Sequence, residues 1–323
     1  MTIRIALVGA GSVGRRHVDV LTGLGATIAS VTDSHPGTAE ELARELSVPA
    51  FTAPDEALDA VAVDAVYVCV PPFAHGSGER AALARGLPLF VEKPVGLGLE
   101  VAEEIGELVE AVGVVTGTGY HWRCMNTVEH ARLLLADAPP LLASGYWLDK
   151  RPPVPWWGRM DRSGGQVVEQ LTHVLDTARF LLGEAVEVYA AGVRGSLGMD
   201  GPESDDVDDA TAATVRFASG AVATLAATSV LAAKQRAALH VVSRGLYLEL
   251  SEAGLSSFDG SVRTELECGF DPRVAVDREF IEAVRGEREG TRTPYAEALR
   301  THRLACAVAE SARSGRPVAL SAA

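Results

Sequence analysis

The stretch from Ile3 to Gly14, IRIALVGAGSVG, constrains this chain more than any other. Ile3, Ile5, Ala6, Leu7 and Val8 make a short, almost continuous apolar run, the pattern of a parallel strand covered by helices on both faces. Gly9, Gly11 and Gly14 follow at once in G-x-G-x-x-G spacing, and Val13, His17, Val20, Leu21 and Leu24 fall on one face of the helix predicted next. Each glycine has a physical task. Gly9 permits a tight turn, Gly11 lets the backbone approach a pyrophosphate, and Gly14 lets the helix pack closely on the sheet. The helix start, with Ser12 and Val13, offers N–H donors and the positive end of a dipole to a phosphate. A dinucleotide is the expected ligand.

A second strand, ATIASVTD, ends in Asp33, about 20 residues beyond the last glycine, where such folds carry an acid. A carboxylate there can accept both hydroxyls of an adenosine ribose and would repel a 2′-phosphate, so NAD is expected in preference to NADP.

At 323 residues the chain suggests two domains, and 47% hydrophobic content is ample for their cores. A net charge of −14 sets a repulsive field against a nucleic-acid backbone. Arg15 and Arg16 come closest to a basic patch, and at the start of the first helix they are expected to face solvent or the cofactor phosphates. Cys69, Cys124, Cys268 and Cys306 are widely spaced, which predicts buried free thiols and neither a disulfide framework nor a zinc site. The N-terminus enters the first strand without a leader and no apolar run approaches a membrane span, so a cytoplasmic protein with no membrane partner is expected.

The alternation of strand and helix continues through PGTAEELARELSV, a short strand at Phe51, and the strand DAVYVCV from Asp64 to Val70. In a doubly wound sheet the carboxyl ends of strands carry the ligand, so Val70, Pro71, Pro72 and His75 are expected to line the nicotinamide half of the site. The strand LPLFVE then leads into Glu92, Lys93 and Pro94. From Tyr120 the alternation breaks down. A doubly wound α/β domain over residues 1–120 is therefore predicted, followed over 121–323 by an α+β domain for substrate binding and oligomerisation. HWRCMNTVEHARLLLAD reads as a linking helix. LLASGYWL, VEVYAAGVR, DATAATVRF, AVATLAATSVL, AALHVVS and LYLEL give six strands of a mostly antiparallel sheet, two of them joined as a hairpin at Ala218-Ser219-Gly220. The acidic run Glu203 to Asp209 reads as a solvated turn, and no metal is expected.

Within the second domain, Ser163 and the Gly164-Gly165 pair can open a helix from about Gln166 to Leu182. Glu169, His173 and Asp176 fall at i, i+4 and i+7 on one face of it. A carboxylate one turn before an imidazole can fix its tautomer and stabilise its protonated form, as a general acid/base histidine requires; a plain helical salt pair has the same spacing. Trp156 and Trp157 precede the glycines, and an indole face suits the C–H face of a sugar ring as well as it suits interior packing. Tyr120, His121 and Arg123 are further candidates for substrate hydroxyls, and Arg151 and Arg159 for a substrate phosphate or carboxylate.

Strand, Glu92-Lys93-Pro94, the helix LGLEVAEEIGELVEAV and the strand VVTGTGY together resemble the glucose-fructose oxidoreductase / inositol dehydrogenase (Gfo/Idh/MocA) family of NAD(P)-dependent enzymes. The glycine pair and its helix are similar to that family's G-G-G-x-x-x-D-x-x-x-H-x-x-D pattern: His173 and Asp176 match, Glu169 stands for aspartate, and Gln166 for the third glycine. The resemblance implies that Glu92, Lys93 and Pro94 border the cofactor, and that Lys93, His173 and Glu169 form the catalytic set, with Lys93 and His173 also touching substrate. It implies an oxidoreductase moving a hydride between nicotinamide and a carbinol or ketone carbon of a sugar, cyclitol or related polyol, including sugar nucleotides. Two alternatives share the fold: an NAD-dependent glycoside hydrolase or lyase with no net redox change, and a non-catalytic NAD-binding regulatory protein. Strands such as ATAATVRF carry small and apolar residues on both faces, which predicts a sheet face covered by another subunit in a homodimer or homotetramer.

Overall fold

A computed structural model describes residues 2–195 and 205–321. They divide into two compact units: Met1–His121 with Asp271–Leu299, and Trp122–Phe270 with Arg300–Ala323. The single boundary expected near residue 120 is thus corrected, because a later segment returns to the first unit. Its reason is burial. Phe280 packs edge-on against Tyr67 and Phe90, with ring centroids 5.4 and 5.6 Å apart, and Asp277 pairs with His17.

The first unit is built on β1 (Arg4–Val8), β2 (Thr27–Thr32), β3 (Ala50–Phe51), β4 (Ala65–Val68), β5 (Leu89–Val91) and β6 (Thr116–Thr118). All pair in parallel, in the order β3-β2-β1-β4-β5-β6. The sheet reverses direction of growth between β1 and β4, and ligands of open α/β sheets bind outside the carboxyl ends of the strands at such a point. The intervening helices are α1 (Ser12–Gly23), α2 (Pro36–Leu46), α3 (Pro54–Ala60), α4 (Ser77–Leu83) and α5 (Leu99–Val112). On α1 the buried residues are Gly14, His17, Val18 and Leu21, while Val13 is exposed. The expected apolar face is therefore rotated: Gly14 must touch the sheet, which turns Val13 outward.

A 3-10 turn (His121–Cys124) begins at the last residue of the first segment and is followed in the second unit by α6 (Asn126–Ala136), where one linking helix was expected. Its sheet contains β7 (Leu142–Leu148), β8 (Ala185–Val193), β9 (Ala210–Phe217), β10 (Val222–Thr228), β11 (Arg236–Ser243) and β12 (Leu246–Ser251), the six strands read from the sequence. It also contains β13 (Gly254–Phe258), β14 (Arg263–Glu267) and β15 (Val318–Ala319), which were not. The order is β14-β13-β12-β11-β7-β10-β9-β8-β15, antiparallel throughout except for β10 beside β7. The β9–β10 hairpin turns at Ala218-Ser219-Gly220 as expected.

One face of this sheet packs on a helix that is buried along nearly its whole length, α8 (Thr172–Leu182), which follows the short α7 (Met160–Ser163). The approach is close. A Cβ on Gly145 of β7 would fall 2.7 Å from Val174 and 2.9 Å from Leu225, so only glycine lets α8 settle there. The opposite face alternates out of the core through Ala212, Thr214, Thr224 and Ser144. The last helices are α9 (Pro272–Val284) and α10 (Tyr295–Ser314), and α10 passes from the first unit into the second at Arg300 before β15. Among the described residues no helix is long and apolar enough to cross a membrane. Cys69 and Cys124 are buried free thiols, whereas Cys268 and Cys306 are only partly buried.

Candidate active site

In the first unit the turn after β1 has the predicted form. Gly9 adopts φ +98°, and a Cβ there would collide with the Cys69 carbonyl that follows β4. A Cβ on Gly14 would collide with the carbonyl of Gly9, whereas the space above Gly11 is open, as a close-lying pyrophosphate needs. Helix α1 starts at Ser12 with no side-chain cap, which leaves its first N–H groups for a ligand. Asp33 closes over the turn: its Oδ2 accepts the Ala10 N–H at 2.9 Å and its Oδ1 the His35 N–H at 2.9 Å. Each oxygen keeps a further lone pair for a ribose hydroxyl. These residues fit an NAD dinucleotide.

After β4, Val70 and Pro71 are half-buried and Pro72 opens a 3-10 turn, Pro72–Ala74, that leads to His75. His75 is buried, with Nδ1 2.6 Å from Glu79, while Glu79 also accepts the Gly76 N–H at 2.7 Å. Burial pushes the Glu79 carboxyl up, but His75 and the Gly76 amide prevail and hold it below its ordinary range. His75 Nε2 is buried without a hydrogen-bond partner among the described residues. A buried donor or acceptor left this way invites a ligand group.

At the end of β5, Glu92 is buried and Lys93 half-buried, and the Lys93–Pro94 peptide is cis. The Glu92 carboxylate accepts from Arg16 (2.9 Å), from His17 Nε2 (2.9 Å) and from the Lys93 amide (2.9 Å). Arg16 therefore pairs with Glu92, and Arg15 with Glu41 and Glu45, where solvent or cofactor phosphates had been expected. Tyr120 is fully buried and His121 partly so. Burial lowers the His121 pKa to about 4, so this imidazole is neutral at physiological pH.

In the second unit the expected continuous helix is interrupted. Val167–Leu171 forms a π-helical turn and the α-helix begins at Thr172, with Gln166 Nε2 bonded to Gln170 (2.9 Å) and to the Thr228 carbonyl (2.6 Å). Such turns recur at functional sites. Glu169 lies on the π turn, which relaxes the strict i, i+4 register with His173, and its Oε2 accepts from Trp157 Nε1 at 3.0 Å. Trp157 is wholly buried, which makes it interior packing and a support for Glu169; Trp156, half-buried, remains as the aromatic candidate for a sugar face.

His173 is buried in an aromatic cluster, 5.6 Å from the Trp147 ring and 6.3 Å from that of Trp122. Trp147 in turn donates to Asp149 at 3.1 Å and carries the Lys234 ammonium 3.9 Å above its ring. Neither Trp147 nor Lys234 is singled out by the sequence, because the approach of Trp147 to His173 and of Lys234 to Trp147 is non-local. Asp176, expected beside His173, is a buried structural anion. Arg123 donates to both its oxygens (2.8 and 2.9 Å), and Thr301 donates to Oδ1 at 2.6 Å. Arg123 is thereby reassigned from substrate contact to core ion pair. Arg151 pairs with Asp205 and Arg159 with Asp161, so neither matches the anion site expected of it. The acidic run lies partly outside the described residues; within them Asp208 pairs with Arg194 and Asp206 accepts the Met160 N–H.

Residues 3–120 match the family described as "Oxidoreductase family, NAD-binding Rossmann fold", and residues 140–245 match its "GFO/IDH/MocA C-terminal domain". The chain belongs to the Gfo/Idh/MocA oxidoreductase family. Among curated Gfo/Idh/MocA relatives, a scyllo-inositol 2-dehydrogenase (NAD(+)) of Bacillus subtilis is 31% identical over 230 residues, 68% of this chain and 65% of that protein. A 1,5-anhydro-D-fructose reductase of Ensifer adhaerens is 29% identical over 68% of this chain and 67% of its own. A 2,7-anhydro-N-acetylneuraminate hydratase of Escherichia coli is 29% identical over 59% and 52%. The matches thus span about two thirds or less of these relatives. A solved UDP-N-acetylglucosamine 3-dehydrogenase from Acidithiobacillus ferrooxidans has the same fold, with a TM-score of 0.84 at 22% identity over 97% of this chain and 99% of the other.

Proposed function

We propose that this protein is an NAD-dependent dehydrogenase or ketoreductase acting on a CH–OH group of a sugar, cyclitol or related polyol, sugar nucleotides included. The observation that carries the reading is Lys93, presented directly after an interior strand of the nucleotide-binding sheet with its amide held by a buried carboxylate. The names of the inositol dehydrogenase and anhydrofructose reductase relatives support the substrate class.

When bound, nicotinamide takes up or returns the hydride of the carbinol carbon. The chain's own groups deal with the proton and the charge. Lys93 hydrogen-bonds the reacting oxygen and stabilises developing alkoxide, and His173 takes the hydroxyl proton during oxidation and returns it during reduction. Glu169, fixed by Trp157, is the carboxylate that supports the imidazole. Trp156 and His121 are the substrate-contact candidates that stay partly exposed.

Lys93→Met and His173→Ala test this. Each is expected to leave NAD affinity nearly intact and to lower turnover by about 10²–10⁴-fold, and the double variant is expected to be less than multiplicatively worse because both groups serve one oxygen. Turnover within a few fold of wild type in His173→Ala would move proton transfer to Lys93. A second reading is favoured by the relative named as a hydratase: chemistry with no net redox change. Substrate consumed without change in nicotinamide absorbance would select it. We also infer a homodimer or homotetramer formed through the open face of the second unit's sheet.

A further inference from the structure

His17 has no part in the glycine turn that precedes it, yet it is among the most enclosed polar groups of the first unit. Its side chain is 2% exposed and lies between two carboxylates from distant parts of the chain. Nδ1 is 2.8 and 2.9 Å from the two oxygens of Asp277 on α9, and Nε2 is 2.9 Å from Glu92 Oε1. Rings of Tyr67 and Phe90 flank the imidazole at 5.5 and 5.2 Å. Arg16 supplies a second donor to Glu92 Oε1, and Glu92 Oε2 accepts the Lys93 N–H. A Cβ on Gly119 would fall on the Glu92 carboxylate, so that side is closed as well.

Such a cluster is a weak device for stability. Desolvating two carboxylates and an imidazole is costly, and apolar side chains of the same volume are often as stable or more so. What an apolar replacement would lose is the direction of Glu92, and with it the grip on the Lys93 peptide. We propose that His17, braced by Asp277, is a positioning residue for Lys93: it fixes the Glu92 carboxylate, which fixes the backbone from which Lys93 extends. The inference rests on the reading of Lys93 as a group acting on the reacting oxygen.

The charges around the imidazole agree with this geometry. Burial lowers the His17 pKa, but Asp277 and Glu92 together outweigh it and raise it to about 9, so the ring is an imidazolium at neutral pH. Burial raises Glu92, yet His17, Arg16 and Lys93 bring it down to about 2. Burial holds Asp277 above its ordinary range and pushes Tyr67 and Cys69 far up, which keeps the latter two neutral. A protonated ring that donates to a carboxyl group on each side is directional in a way that a neutral ring would not be.

The test combines His17→Gln and Asp277→Asn with Lys93→Met in the full chain with NAD. Each single variant is expected to lower kcat by about 10–100-fold with NAD affinity unchanged, and to cost nothing more when added to Lys93→Met. Unchanged kcat in folded His17→Gln, or losses that multiply with Lys93→Met, would overturn the proposal. If His17→Gln does not fold, Asp277→Asn is read in the same way.

A second readout needs no turnover. After reductive methylation with 13C-formaldehyde, the Lys93 methyl resonance, assigned by its loss in Lys93→Met, is expected to be narrow in the wild type and shifted or broadened in either variant. An identical resonance would also overturn the proposal. Absence of turnover on every polyol tried would remove the dehydrogenase reading and leave this arm standing.

Discussion

Asp33 is a charge set in place before any ligand arrives, since two backbone N–H groups already hold its oxygens over the glycine turn. A preorganised carboxylate repels a 2′-phosphate more effectively than a mobile one, because it cannot swing away at little cost. The wild type is therefore expected to bind NAD at least about 10-fold more tightly than NADP, a difference of about 1.4 kcal/mol. Asp33→Asn, which keeps an acceptor for the turn and removes the charge, should narrow that gap, and Asp33→Ala should narrow it while loosening the turn. Calorimetric titration with both dinucleotides measures it, and equal affinities in the wild type would defeat the assignment. Gly9, Gly14 and Asp33 were legible in the sequence because their spacing is local and each geometry admits few residue types. Trp157 was legible as a candidate for interior packing, but its bond to Glu169 was not, because the indole meets that carboxylate twelve positions on, across a π turn that a 3.6-residue period cannot reveal.

At the scale of elements, α9 decides how the first unit closes, and it was hidden from periodicity by its own polar residues. Asp277 and Glu279 lie on its buried side next to Phe280 and Ile281, so polar and apolar positions do not separate into two faces. Strands β13 and β14 were obscure for a related reason. GLSSF is short, serine-rich and mostly half-buried, and RTELE is short, charged and largely exposed, so both lack the alternation that marked β9 and β10. The Asp277–His17 contact between α9 and α1 carries a pH signature. The folded pKa of His17 is raised from 6.5 to about 9, so its contribution to stability is complete below 6.5 and is lost as pH rises through about 9. Glu92 behaves oppositely, its contribution being complete above 4.5 and lost as pH falls through about 2, whereas Asp277, held above its ordinary value, acts in the same sense as His17, its contribution being complete below 3.8 and lost as pH rises, so that it opposes Glu92 alone. Thermal midpoints should accordingly decline between pH 6.5 and 9, and the decline should flatten in His17→Gln. A wild-type midpoint independent of pH across that interval would show that the imidazolium does not bind α9 to α1.

At the scale of the whole molecule, the second unit's sheet has one face packed on α8 and, among the described residues, one left open, and the open face has an unusual surface. Strand register sets Val222, Leu142 and Val242 side by side in one row across three strands, all of them exposed. The next row reads Tyr189, Thr214, Thr224, Ser144 and His240, and the one after it Ala191, Ala212, Ala226, Tyr146 and Ala238. Small uncharged side chains at the centre make a flat surface, with charge confined to its margins at Glu187, Arg216, Arg236 and Glu249. A sheet that faced water permanently would carry charged or long polar residues there, as half-exposed antiparallel sheets do. A two-fold axis lying in the plane between the two faces would stack the alanine and threonine rows of two copies at the spacing of packed sheets, about 10 Å. Light scattering at micromolar concentration is expected to return the mass of a dimer or tetramer. Thr224→Arg with Ala212→Arg, which sets cations in the centre of the flat rows against their symmetry mates, is expected to shift the mass towards the monomer without altering the circular dichroism spectrum. A wild-type monomer, or an oligomer indifferent to both arginines, would mean that the open face is covered by something other than a second copy of this chain.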